Sequence, residues 1–200
     1  MNTELSMPGY RANEYLLVLS PHEELRHKIS GVKKSFFENY GIQSALMGRP
    51  QITLARFTQL EMMEDRLMNK LRLISMGLPP IKIELNGFGN YPTHSIFINV
   101  VNKNQVKNII NGFKEARRLM KRGGENPHFI DDPCIPVAIR IQKEVFKEAL
   151  KEYASKHFTG RFIADHLLVL KRRKGEVKYQ VLERMELQYL PVHTLQGALF

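Results

Sequence analysis

One layout occurs twice in this chain and constrains it more than any other feature. Residues 51–57, QITLARF, follow Pro50, and residues 134–141, CIPVAIRI, follow Pro133. Each reads as a short strand, rich in branched apolar residues and led by a proline. Each also lies between two segments of helical periodicity. Leu25, Ile29, Val32, Phe36 and Tyr40 step by three or four ahead of the first strand, and Leu60, Met63, Leu67, Leu71 and Ile74 follow it. Val106, Ile109, Ile110, Phe113 and Met120 precede the second, and Val145, Phe146, Ala149, Leu150 and Tyr153 come after. A strand between two amphipathic helices, repeated, implies an α+β fold with an internal duplication.

The remaining segments supply more strands. YLLVLSP (15–21) is a short apolar run closed by a proline, and IKIELNGFG (81–89) alternates apolar with polar residues. HSIFINVV (94–101) is a further strand, joined to the one before it by a hairpin or by a crossing between lobes. RFIADHLLVLKRR and KYQVLERMEL flank Lys174-Gly175 and read as a closing hairpin. Helices are expected at about 22–40, 59–76, 104–122 and 143–157. Ser20, with Glu23 three residues later, is the expected N-cap of the first helix, and Gly41 its terminator.

The formal charge is +10 and the sequence pI about 9.7, an excess that favours polyanions such as RNA, DNA or nucleotides. The densest basic runs are KRRKG at 171–175, placed at a hairpin tip, and RRLMKRGG at 117–124, placed at a helix end. Cations at a helix C-terminus also complement its dipole, a sufficient structural reason for the second run. The single cysteine, Cys134, rules out an internal disulfide and any metal site built on clustered thiolates, and fits a reducing cytoplasm. The seven histidines show no HExxH-type spacing. No apolar run approaches bilayer length, and residues 1–15 lack the layout of a secretory signal. No membrane association is expected, and nothing demands more than a monomer.

On Pro50, Ile52, Thr53 and Leu54, and again on Pro133, Ile135 and Val137, the chain resembles the two-histidine phosphoesterases, the 2'-5' RNA ligase-like superfamily. The resemblance spans about Tyr15 to Leu187, with YLLVLSP as the first strand and the C-terminal hairpin as the last element. It implies a single bilobal domain over residues 1–200. Its two pseudo-symmetric lobes of antiparallel sheet carry helices outside and face each other across a central cleft. The halves are expected at roughly 10–90 and 91–188, with a tail at 189–200. In this family each lobe contributes a strand bearing His-x-Thr/Ser after a proline.

Alternation along a strand puts the first and third motif positions on one face, so imidazole and hydroxyl point together into the cleft. The resemblance implies that one histidine acts as general base, that the other protonates the leaving oxygen, and that the hydroxyls hold the phosphate. No metal or cofactor is required. Here the first motif reads Gln51 and Thr53, and the second reads Cys134 and Pro136. A glutamine does not titrate near neutrality. A cysteine can, but Asp131 and Asp132 beside Cys134 would raise its pKa. Proline offers neither hydroxyl nor N–H. Each acid–base group is worth a factor of ~10²–10⁴, so losing both leaves little of the family reaction.

Three readings follow. In the first, the chain is a catalytically impaired member that binds RNA ends, nucleotides or another phosphorylated ligand in its cleft. Gln51 and Thr53 then supply neutral hydrogen bonds, and Arg49, Arg56, Arg140 and Lys171 are the candidates for charge. In the second, it is an active phosphoesterase or RNA ligase with a rebuilt site, drawing on His94, His128 or His166. In the third, it is a non-catalytic interaction protein with a vestigial cleft, its apolar tail (Leu195, Leu199, Phe200) filling a groove.

Overall fold

The computed structural model of the chain describes residues 9–191. The elements run β1 (Ala12–Leu19), α1 (Glu23–Tyr40), β2 (Ile52–Leu60), α2 (Glu64–Gly77), β3 (Ile81–Tyr91), β4 (Ser95–Val100) and α3 (Lys103–Phe113). They continue with α4 (Arg117–Met120), β5 (His128–Phe129), β6 (Cys134–Ala138), α5 (Lys143–Ser155), β7 (Thr159–Ala164), β8 (His166–Arg173) and β9 (Gln180–Glu186). The strands form two antiparallel sheets, one in the order β5-β2-β1-β8-β9, the other in the order β6-β4-β3-β7. Helices α2, α3 and α4 pack on the five-stranded sheet, and α1 and α5 pack on the four-stranded one. Strands β2 and β6 approach each other where the sheets meet. The repeated layout is present: β2 lies between α1 and α2 in the chain, and β6 between α4 and α5.

The two sheets do not divide the chain at residue 90. Strand β3 leaves the β1–β2 pair and forms a hairpin with β4, while β8 returns to lie beside β1. The expected halves, 10–90 and 91–188, therefore each contribute strands to both sheets. The closing hairpin is shorter than expected for the same reason. Residues 159–164 form β7 against β3, and the chain changes sheets at Asp165, whose carbonyl accepts the Leu187 N–H at 2.8 Å.

Several element boundaries also differ from the sequence expectation. The cap of α1 is His22, not Ser20: His22 Nδ1 accepts the Leu25 N–H at 3.3 Å, and Pro21 keeps Ser20 extended and outside the helix. Gly41 does close α1, with φ 68° and its N–H on the Phe37 carbonyl. The second helix begins at Glu64 rather than near Gln59, because Gln59 and Leu60 still pair with Asn13 and Ala12 of β1. The helix expected over 104–122 is broken by a 3₁₀ turn at Lys114–Ala116. Strand β6 stops at Ala138, and Arg140 beyond it has a left-handed backbone, φ 54°.

One contiguous apolar core fills the space between sheets and helices. Tyr15 stacks on Phe57 at 5.2 Å between centroids, and Phe36 and Tyr153 meet at 5.2 Å between α1 and α5. Burying one such side chain is worth about 1.5–3 kcal/mol, which is why the three-four and alternate spacings fix which face each element turns inward. Among the described residues no helix is long and apolar enough to cross a membrane.

Candidate functional site: the helix-free face of the five-stranded sheet

Strand β2 carries a bulge. Leu17 of β1 faces Ala55 and its neighbour Val18 faces Thr53, so Leu54 is an extra residue. Leu54 and Ala55 are both fully buried. The bulge resets the alternation, so that Gln51, Thr53, Arg56 and Thr58 remain accessible while Ile52, Leu54, Ala55, Phe57 and Gln59 are buried. Thr53 is half-buried in β2, and Gln51 sits just before the strand. The preceding loop is pinned by Lys33, the one charged residue on the buried side of α1. Its ammonium donates to the Met47 carbonyl at 2.8 Å and the Gly48 carbonyl at 3.0 Å. Burial pushes the Lys33 pKa down. Arg49, at the end of that loop, is exposed.

On the other sheet the second motif strand presents Cys134 and Pro136. Cys134 pairs with Asn99 of β4, and Pro136 with Phe97. The Tyr91 hydroxyl lies 3.6 Å from the Cys134 sulfur and donates to the Asp132 carboxylate at 2.9 Å. Asp132 in turn pairs with Lys103 at 2.5 Å. The Tyr91 and Phe97 rings lie 4.3 Å apart. Phe97 packs over Gly89, where a Cβ would come within 2.6 Å of the Phe97 ring and of Asn99 Oδ1. The second slot is thus packed with aromatic rings and a hydrogen-bonded thiol.

The electrostatics of this slot follow from the packing. Burial pushes the Cys134 thiol above its ordinary range, and Asp132 adds to the effect against the opposing Tyr91 hydrogen bond and Lys103 charge. Burial likewise raises the Tyr91 phenol, with Cys134 and Asp132 adding to it. Partial burial works against ionisation of Asp132, but the Lys103 ammonium and the Tyr91 hydroxyl outweigh it and hold the carboxyl below its ordinary value. At neutral pH the slot therefore presents a thiol rather than a thiolate.

An open cleft of about 570 Å³ lies along the helix-free face of the five-stranded sheet, lined by Glu14, Leu16, Arg56, Thr58, His128 and Tyr179, with Arg172 across it. Arg172 donates to the Glu14 carboxylate through Nε at 2.6 Å and lies over the Tyr179 ring at 4.4 Å. Burial raises the Tyr179 phenol, while the Arg172 and Arg56 charges pull it the other way. Arg56 is exposed, pairs with His128 across β2 and β5, and has no ion pair with any described residue.

No family model matches this sequence, and no curated protein does. Solved structures do match. Escherichia coli LigT in complex with 3'-AMP superposes with a TM-score of 0.64 at 13% identity, over 88% of this chain and 98% of that one. The chain has the LigT fold. A crystal structure described as a phosphoesterase gives a TM-score of 0.55 at 14% identity, over 88% of this chain and 98% of that one. Usb1 of Kluyveromyces marxianus gives 0.50 at 10% identity, over 90% of this chain and all of its own. These are structures of the two-histidine phosphoesterase superfamily, the fold that the two Pro-led strands resemble. Two antiparallel sheets with helices packed on them make the α+β fold that matches LigT-like structures.

Within this LigT-like fold the sequence-derived candidates separate. Arg56 lines the cleft, whereas Thr53 of β2, Gln51 just before it, and Cys134 and Pro136 of β6 are not among its lining residues. Lys171 is not among them either. It pairs with Tyr15 across β1 and β8, on the helix side of the sheet, and its ammonium meets Glu64 of α2 at 2.6 Å. Its neighbour Arg172 holds the cleft position instead. Arg140 lies in the turn after β6, held by Ser44 and His94 through hydrogen bonds to Ile139 and Ile141 on either side. His94 packs on Phe146 of α5, 5.0 Å between ring centroids. His166 opens β8 with its ring on Asp165. Of these three histidines, His128 lines the cleft. Glu14, Thr58, Arg172 and Tyr179 are cleft residues that sequence reasoning passes over. The apolar tail at 195–200 lies outside the described residues.

Proposed function

We propose that this chain is a catalytically impaired phosphoesterase-like protein that binds RNA ends, nucleotides or another phosphorylated ligand in its cleft. The observation that carries the reading is an accessible cation in the cleft of a chain whose motif positions lack the expected acid–base groups. The motif positions hold Gln51 and a thiol raised by burial, whereas Arg56 stands accessible in the cleft. A guanidinium without an ion-pair partner is well suited to a phosphate oxygen, because a charge-assisted hydrogen bond is about twice as strong as a neutral one. LigT itself has been crystallised with 3'-AMP, with phosphate and with ATP, which supports a phosphate-bearing ligand for this fold. The unpaired thiol agrees with a cytoplasmic setting, which is part of the proposal.

The direct test is calorimetric titration of the purified chain with 3'-AMP and with inorganic phosphate. Saturable binding, weakened by Arg56→Ala, is the expected result. Absence of binding to both ligands would remove the reading.

One observation favours a second reading, an active enzyme with a rebuilt site: His128 lines the cleft and is the cross-strand neighbour of Arg56. An imidazole is the side chain most often used as general acid or base. Turnover of a cyclic phosphate that disappears in His128→Ala distinguishes this reading from the first.

A further inference from the structure

The two densest basic runs of the sequence lie far apart in the chain but meet at one end of the five-stranded sheet. The β8–β9 turn, which carries Arg173 and Lys174, is tied to the start of β1 by the Lys174 N–H on the Ala12 carbonyl at 3.3 Å. Ala12 pairs with Leu60 at the far end of β2. Gln59, next to Leu60, donates its amide to the Leu119 carbonyl at 2.7 Å and to the Lys121 carbonyl at 3.0 Å. A chain of hydrogen bonds thus runs from the hairpin tip across β1 and β2 to the end of α4. Neighbouring strands lie about 4.8 Å apart, so β8 and β2 are separated by only about 10 Å.

The side chains of this rim are poised for an external anion. Arg117, Arg118, Lys121, Arg173 and Lys174 are exposed and form no ion pair with any described residue. The carboxylates on the same segments are Glu61, Glu125 and Glu176. Glu176 is engaged by the Arg173 backbone N–H at 3.3 Å, which leaves the Arg173 guanidinium available. The rim also runs into the cleft. Arg172 follows Lys171 and precedes Arg173, and Glu125 and Asn126, just after Arg122, line the cleft wall.

We infer that this rim is a track for the phosphodiester backbone of a single-stranded nucleic acid whose end lies in the cleft. The inference rests on the cleft-binding reading above for its terminus, but the rim makes its own prediction. Several exposed cations at one end of the sheet, without ion pairs to any described residue, match a polyanion better than a mononucleotide, since each neutralised phosphate releases counterions. A single strand fits better than a duplex, because an opening of about 570 Å³ is the size of a small-ligand site. RNA and DNA share this backbone chemistry, and the experiment separates them.

The experiment is fluorescence anisotropy on the full chain with labelled single-stranded RNA and DNA of about 15 nucleotides, over a range of salt, beside a 3'-AMP titration. The variants are Lys121→Glu and the pair Arg173→Glu with Lys174→Glu. Lys151→Glu, on α5 of the other sheet, controls for net charge, and thermal melting checks folding. The expected result is roughly tenfold weaker strand binding for each rim variant and unchanged 3'-AMP affinity. The salt slope should become shallower by about 0.7 for each phosphate that the variant no longer neutralises. RNA binding tighter than DNA assigns the ligand to RNA, and equal affinity assigns it to the shared backbone. If strands bind but 3'-AMP does not, the cleft reading fails and the rim stands. If strands bind no more tightly than 3'-AMP, or if Lys151→Glu weakens them equally, the rim is not a track. Binding to anionic phospholipid vesicles in preference to strands overturns it as well.

Discussion

The Tyr91 hydroxyl sits 3.6 Å from the sulfur of Cys134, joining β3 to β6 across the intervening strand β4. Tyr91 also holds Asp132, and its ring packs on Phe97. Cys134 is therefore held in a network with Tyr91 and Asp132.

Cys134 should react sluggishly with thiol-alkylating reagents. Burial raises its pKa, so the thiolate fraction at neutral pH falls below that of a free cysteine. The rate of labelling as a function of pH is expected to rise with a midpoint above that of a small-molecule thiol. A midpoint below it would mean that the slot holds an activated nucleophile.

Gly89→Ala should destabilise the fold by about 1–3 kcal/mol, the usual range for over-packing. The new methyl would meet the Phe97 ring and Asn99 Oδ1 at 2.6 Å, and Phe97 is itself buried between β-strands and cannot swing away freely. Denaturant unfolding measures the change.

Lys33→Met removes the donor to the Met47 and Gly48 carbonyls while keeping the buried stem. Met47 and Gly48 are exposed, so water can replace the ammonium at their carbonyls and the cost is the net worth of a hydrogen bond, about 0.5–1.5 kcal/mol. The loop ahead of Gln51 should become susceptible to limited proteolysis between residues 46 and 49, with the wild-type chain resistant there.

Asp132→Asn breaks the ion pair with Lys103, and because both side chains are about a third exposed or more the cost is about 0.5–1 kcal/mol. The sign of the pH effect follows from the direction of the shift. The folded-state pKa of Asp132 lies below its unfolded value near 3.8, so the pair's contribution is fully present above that value. It is lost as pH falls through the lower, folded-state pKa. The stability difference between wild type and Asp132→Asn should therefore shrink on acidification, measured by denaturant unfolding at a series of acidic pH values.

Much of the fold was legible because each strand–helix unit carries its own periodicity. Leu25, Ile29 and Phe36 mark one face of α1, and Gly41 marks its end, without reference to anything distant. The exchange of β3 and β8 between sheets was not legible, because pairing partners are set by tertiary packing, and neither the alternation of β3 nor the apolar run of β8 specifies a partner. At the site, Thr53 followed from alternation, but Arg56 depended on the bulge at Leu54. Strict alternation from Thr53 would have placed Ala55 and Phe57 in the cleft and Arg56 on the buried side. Lys171 reads as a cleft residue in place of Arg172 because residues 167–170 are all apolar and leave the phase of β8 ambiguous. Val169 and Tyr15 on the helix side resolve that phase only in three dimensions. The partnership of Tyr91 with Cys134 joins residues on strands that do not pair with each other, and no local signal reports it.

The central claim, a cleft that accepts a phosphate ester without turning it over, is tested most directly by phosphorus NMR of a 2',3'-cyclic nucleotide incubated with the purified chain. One spectrum series reports both binding and conversion. The cyclic phosphate resonance should shift or broaden on addition of protein, Arg56→Ala should reverse this, and no ring-opened product should accumulate. Steady growth of a monoester signal that vanishes in His128→Ala would contradict the claim and make this chain an enzyme with a rebuilt site.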